Sequence, residues 1–217
     1  MIRNLNKKYL FISTLLIYFF IGSYLSLTTG ISSDEYHEQS NWIINLSAIK
    51  EFLSTGQYDS FLTYWDRYHG IAFHLISQPI QLLLKDIVID LNGVSEYGAQ
   101  LIAKHIVVFF IFCISGIFFY FIMLKITKNE NISFISSLIY LLYPYLFGHA
   151  QFNPKDIPFM SFWLICSYLS LRVFENLYTR KALGIKNLII LSLLTAFLIS
   201  IRIVGFLILI QYLITLL

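Results

Sequence analysis

The sequence predicts an all-α protein: a polytopic transmembrane helical bundle with two interfacial helices in a long first extracytoplasmic loop. Three observations predict it. Of 217 residues, 58% are hydrophobic and only 12% charged, about half the charged fraction of a soluble domain. Several apolar runs approach or reach the roughly 17–25 residues that a helix needs to cross the hydrocarbon core. The basic residues also gather on alternate connections. Residues 1–8, 125–131 and 172–186 hold nine basic and two acidic side chains, whereas 31–103 holds nine acidic and three basic. That asymmetry places the basic segments and the N-terminus in the cytoplasm and the acidic loop outside.

Residues 9–29 read as the first span, preceded by Arg3, Lys7 and Lys8. The apolar run is too long, and Thr28-Thr29-Gly30 too poor a cleavage site, for a removed signal peptide. The loop 31–103 follows. Ser32 and Glu35 have capping-box spacing and predict a helix start. Trp42, Leu46, Ile49 and Leu53 recur at helical spacing and predict an amphipathic helix on the membrane surface. Gly56 is its stop. A second loop helix of about 14 residues after Gly70 is expected to be interrupted at Pro79 and to be re-entrant or interfacial. Residues 86–98 read as loop. Spans are expected at 105–124, 132–147 and 157–171, with Pro144 near the outer end of the third and Arg172 snorkelling at the inner end of the fourth. Arg180, Lys181 and Lys186 mark an inner loop. Residues 187–217 read either as a single tilted helix or as a hairpin of two short spans with Arg202 and Gly205 near its outer turn; the hairpin is favoured, because a lone Arg at mid-membrane costs about 2.5–3.5 kcal/mol on the mildest scale. The abrupt apolar ending reads as a fragment or an N-terminal module. Cys113 and Cys166 lie singly inside apolar runs and read as buried thiols, not a disulfide.

The polar residues that carry chemistry fall at the outer ends of spans. Asp34, Glu35 and Glu38 follow the first span directly, and Asp34 and Glu38 share a helix face. Acidic residues in a first helical turn are stabilised by the helix dipole without further purpose. A carboxylate at a membrane face, however, is partly desolvated and thereby made more basic. Asp34 is the better base, since capping occupies Glu35. Pro158 reads as the start of the fourth span, so Lys155, Asp156 and His149 flank a helix N-terminus able to hold a phosphate, or are ordinary interfacial charges. Arg67 and His69 form a further polar cluster that either grips a phosphate or solvates a helix end. Arg202, a charge within apolar sequence, needs an anionic partner. His74 and His105 read as packing or interfacial residues. No HExxH or comparable metal motif occurs; His37 lies beside carboxylates, but the signal for a metal is weak. No nucleotide loop, nucleophile elbow or nucleic-acid-binding basic tract is present, so an activated donor is expected to be membrane-borne.

Asp34-Glu35-Tyr36 followed by Leu53-Ser54-Thr55-Gly56 resembles the acidic-pair and TG beginning of the GT-C glycosyltransferases, in the protein O-mannosyltransferase and aminoarabinose transferase branch. Residues 148–158, with Asn153-Pro154-Lys155-Asp156-Ile157-Pro158 at their end, resemble the second outer loop of bacterial members. Arg202 falls where many members carry a basic residue late in the fifth span. The resemblance runs over essentially the whole chain. It implies an inverting transferase of the plasma (inner) membrane that moves a sugar from a polyprenyl-phosphate donor to an acceptor hydroxyl on a protein, lipid or glycan, with Asp34 as base and no firmly implied cofactor. Family members usually carry more spans and often a periplasmic domain. The rival readings are a fragment of a transporter or flippase, and a truncated non-catalytic membrane protein.

Overall fold

A computed structural model describes residues 2–179 and 184–216, apart from the side chains of 2–10 and Ser60. Among the described residues every regular element is helical. The elements are α1 (Ile2–Thr28), α2 (Ser33–Thr55), α3 (Asp59–Leu62), α4 (Ala72–Asn92), α5 (Glu96–Thr127), α6 (Glu130–Leu142), α7 (Pro144–Ala150), α8 (Asp156–Tyr178), α9 (Ile185–Ile201), a 3₁₀ turn (Ile203–Phe206) and α10 (Leu207–Leu216). Four helices have the length and apolarity to cross a membrane, or five if the bent pair α6–α7 is one span. The chain is therefore a helical bundle suited to a membrane.

The hub is α5, against which α1, α4, α6 and α8 pack. Phe109, Phe112 and Val108 of α5 meet Leu141 of α6, Phe162 and Ile165 of α8, and Leu198 and Ile201 of α9 in one buried cluster. A smaller cluster joins Val88 of α4 to Ala99, Ile102 and Ala103 at the start of α5. The Tyr18 hydroxyl donates to the Leu141 carbonyl at 2.6 Å, tying α1 to the end of α6. Cys113 and Cys166 are buried free thiols.

Several boundaries differ from the sequence expectation. The second loop helix does not stop at Pro79. It continues to Asn92, so α4 has 21 residues and absorbs part of the expected 86–98 loop. A proline removes one helical hydrogen bond, but stopping there would strand several more backbone groups, and Phe73 and Val88 on either side are buried against the bundle. Helix α5 starts nine residues before His105, capped by the Ser95 hydroxyl, which accepts from Gly98 N–H at 3.2 Å. The expected third span is broken: α6 and α7 meet at 59°. Pro144 causes this, holding Tyr143 extended at φ −60°, ψ 119°. Helix α8 runs past Leu171 to Tyr178. Arg180 and Lys181 lie outside the described residues.

The C-terminal hairpin is present. Thr195 Oγ1 and the Tyr212 hydroxyl are 2.8 Å apart, whereas 17 residues of continuous helix would separate them by about 25 Å. The chain turns at Arg202, which is extended.

Helix α2 begins and ends as its sequence predicts. Glu35 Oε1 accepts from Ser32 N–H at 2.7 Å, and Gly56, at φ 75°, closes the helix with its N–H on Phe52. Its packing face does not follow the apolar stripe. Ile49 and Leu53 point outward, Leu53 at 79% exposure, and of the stripe only Trp42 is buried. The side turned to the protein carries Glu35, Glu38, Gln39 and Asn41. Polar partners on α4, α5 and the 63–71 turn determine the orientation.

Candidate functional site

The first turns of α2 face two polar networks. The deeper one joins four helices, α1, α2, α4 and α5. The His105 ring sits between the Ser26 carbonyl, 2.9 Å from Nδ1, and Glu35 Oε2, 2.6 Å from Nε2. A carbonyl only accepts, so Nδ1 carries a proton. Beside this pair, Lys104 donates to Gln39 Oε1 at 2.9 Å, and Gln39 donates to Gln78 at 3.3 Å. Glu35, Gln39, Lys104 and His105 are all buried. Glu35, expected beside Asp34 in the catalytic pair, has both oxygens engaged and no access to solvent, which makes it a brace. His105, expected to pack or lie at an interface, is its ionic partner.

The second network lies toward the surface, where α2, the 63–71 turn and the start of α8 converge. Glu38 Oε1 is 2.8 Å from His69 Nε2 and 3.2 Å from Lys155 Nζ. Lys155 Nζ also lies 2.8 and 3.1 Å from the two nitrogens of the His69 ring. Asp66 Oδ2 is 2.8 Å from His37 Nε2 and 3.0 Å from His69 Nδ1, and accepts from Asn41 Nδ2 at 3.0 Å. Burial alone would raise the Glu38 carboxyl, but the hydrogen bond and charge of His69, with Lys155, outweigh it and hold the group below its ordinary value. Asp66 is lowered in the same way: burial opposes ionisation, and Asn41, His37 and His69 more than offset it.

Local chemistry positions each arm. The turn carrying Asp66 and His69 closes with His69 N–H on the Asp66 carbonyl at 2.9 Å. It lies so close to the end of α9 that a Cβ on Gly70 would collide with the Ile201 carbonyl. At the start of α8, Asn153 Oδ1 accepts from the N–H groups of both Lys155 and Asp156, at 3.1 and 2.8 Å. Sequence reasoning did not single out Asn153, although Asn before Pro is a turn signal.

The sequence-nominated residues separate into groups. Glu38 joins Lys155 and His69 directly. Arg202 pairs with Asp156, the residue after Lys155, and its guanidinium lies 6.0 Å from the Phe159 ring. Arg67 instead braces its own turn, donating to the Leu62 and Tyr64 carbonyls at 3.0 and 3.3 Å. His149, at the end of α7, stays beside Tyr145 and Asn153. Asp34 is exposed and, among the described residues, has no ionic partner; it sits one turn before Glu38 on α2. His74 stacks on Trp42 at 5.6 Å, a packing role as expected. The meeting of His37, Asp66 and His69 was not visible in the sequence, where His37 is about thirty positions from the other two; the three-residue spacing of Asp66 and His69 was the one local hint.

Beside the Arg202–Asp156 pair, a groove of about 400 Å³ between α5 and α8 is lined by Phe119, Ile122, Phe159, Met160, Trp163 and Leu164, with Ser167 at the same site. No protein-family model matches the chain, and comparison with curated proteins and with solved structures finds no significant match.

Proposed function

We propose that this chain is a membrane glycosyltransferase module that takes a sugar from a polyprenyl-phosphate donor and transfers it, with inversion, to an acceptor hydroxyl at the extracytoplasmic face. The observation that carries the reading is Arg202 beside Phe159, which lines an apolar groove, with a second cation, Lys155, next in sequence to Arg202's partner Asp156. An amphiphile with an anionic head and a long apolar tail matches that pairing. Phe159 belongs to both parts: it lines the groove and lies beside the Arg202 guanidinium.

In this reading the acceptor oxygen attacks the anomeric carbon as the bond from that carbon to the phosphate oxygen breaks. The acceptor proton passes to a carboxylate, and the charge left on the lipid phosphate is met by Lys155 and Arg202. One displacement inverts the centre. Of the three carboxylates that open α2, Glu35 is buried against His105, and Glu38 is held ionised by His69 and Lys155, which weakens it as a base. Asp34 remains, one turn from Glu38 and exposed where the sequence reading expected partial desolvation, and is assigned as the base because its carboxylate is free to meet an acceptor hydroxyl.

The test uses the full chain in proteoliposomes with a polyprenyl-phosphate hexose and a hydroxyl acceptor. Asp34→Asn is expected to lower transfer by at least 100-fold while donor binding stays within a few-fold. Lys155→Ala is expected to weaken donor binding. Transfer at the wild-type rate by Asp34→Asn removes Asp34 as base; no transfer from any such donor removes the reading.

A further inference from the structure

We propose that His37, Asp66 and His69 form a binding site for one divalent transition-metal ion of the zinc type. Their ligand atoms lie within 4.8 Å of one another. Asp66 Oδ2 stands 2.8 Å from His37 Nε2 and 3.0 Å from His69 Nδ1. Zinc takes nitrogen and oxygen ligands at about 2.0–2.2 Å, which sets tetrahedral ligands about 3.3 Å apart. Asp66 already stands near that separation from each imidazole, and the two imidazole nitrogens lie within 4.8 Å of each other.

The His69 ring is where the two carboxylates and Lys155 meet. His69 Nε2 faces the Glu38 carboxylate at 2.8 Å, and His69 Nδ1 faces Asp66 Oδ2 at 3.0 Å. Lys155 Nζ, which only donates, lies within 3.1 Å of both ring nitrogens. Lys155 makes no ion pair with Asp66 among the described residues. A metal ion bonded to His69 Nδ1 and Asp66 Oδ2 takes the place of the Lys155 contact with Nδ1 and leaves Lys155 on Glu38.

The surroundings suit a metal site. Glu38 on the far nitrogen of His69 makes a carboxylate–histidine pair of the kind that orients metal-bound imidazoles. Asn41 anchors Asp66, and Trp65 stacks on His37 with ring centres 5.4 Å apart. The His69 side chain is 7% exposed and that of His37 41%, so the site is walled on one side and open on the other. The open side leaves a coordination position for water or an anionic oxygen. Two imidazoles and one carboxylate favour zinc and its first-row neighbours over magnesium or calcium.

This inference does not depend on sugar transfer. The full chain, purified in detergent and stripped with EDTA, is titrated with Zn²⁺ in competition with a chromogenic chelator, and with Co²⁺ followed by visible absorption. One ion per chain is expected. His37→Gln and Asp66→Asn are each expected to weaken Zn²⁺ binding at least ten-fold, and His149→Gln to leave it unchanged. His37 is exposed enough that His37→Gln keeps the fold, which its melting temperature checks. Absence of stoichiometric Zn²⁺ uptake by the wild type, or wild-type affinity in folded His37→Gln, overturns the proposal.

Discussion

Glu35 and His105, 70 positions apart, meet at 2.6 Å with both side chains fully buried. Through the Ser26 carbonyl on the other ring nitrogen, the pair joins the end of α1, the start of α2 and the hub helix α5. Removing one partner leaves a buried charge or acceptor uncompensated, at about 3–5 kcal/mol, whereas replacing both by apolar groups is far less costly. Glu35→Leu is therefore expected to destabilise the protein strongly, and adding His105→Leu to recover much of that loss. Denaturant titration of Glu35→Leu, His105→Leu and the double variant in detergent measures the coupling; additive losses would show that the pair does not act as a unit.

Glu38 makes stability depend on pH. Its carboxyl lies below the ordinary value of 4.5 in the folded chain, so its contribution is present in full above that value and is lost as pH falls through the lowered one. Wild type is expected to be more stable than Glu38→Gln at pH 7, with the gap closing at pH below about 4.5. Melting temperatures across pH 3–7 measure it. A gap that stays constant over that range would show that ionisation of Glu38 is not what stabilises the site.

Gly70 holds the turn carrying Asp66 and His69 against the end of α9. A methyl group there collides with the Ile201 carbonyl. Overpacking of this kind costs about 1–3 kcal/mol, so Gly70→Ala is expected to lower the melting temperature by about 3–10 °C. An unchanged melting curve would mean that the turn moves freely away from α9.

Gln81, in α4, is fully buried, and neither amide atom finds a partner among the described residues. A polar group left unsatisfied costs about 1–3 kcal/mol. Gln81→Met keeps the volume and removes the amide, and is expected to raise the melting temperature by a few degrees. A fall would show that water or a ligand completes the amide's hydrogen bonds.

The sequence by itself determined the local features. Apolar run length marked the helices, the Ser32/Glu35 pair and Gly56 bounded α2, and the cost of a lone membrane arginine favoured a hairpin turning near Arg202 and Gly205. Each depends on residues a few positions apart. Interior packing was less legible: α4 passes Pro79 because Phe73 and Val88 are buried on both sides of it. The expected gathering of Asp34, Lys155 and Arg202 resolved into two neighbouring pairs, Glu38 with Lys155 and Arg202 with Asp156, with Asp34 one turn outside. Only tertiary structure decided that α2 turns Glu35, Glu38 and Asn41 inward and leaves Leu53 outside. The physical reason is that a buried polar group needs a specific partner, and His105, His69, Lys155 and Asp66 come from distant parts of the chain that only the packed bundle brings together.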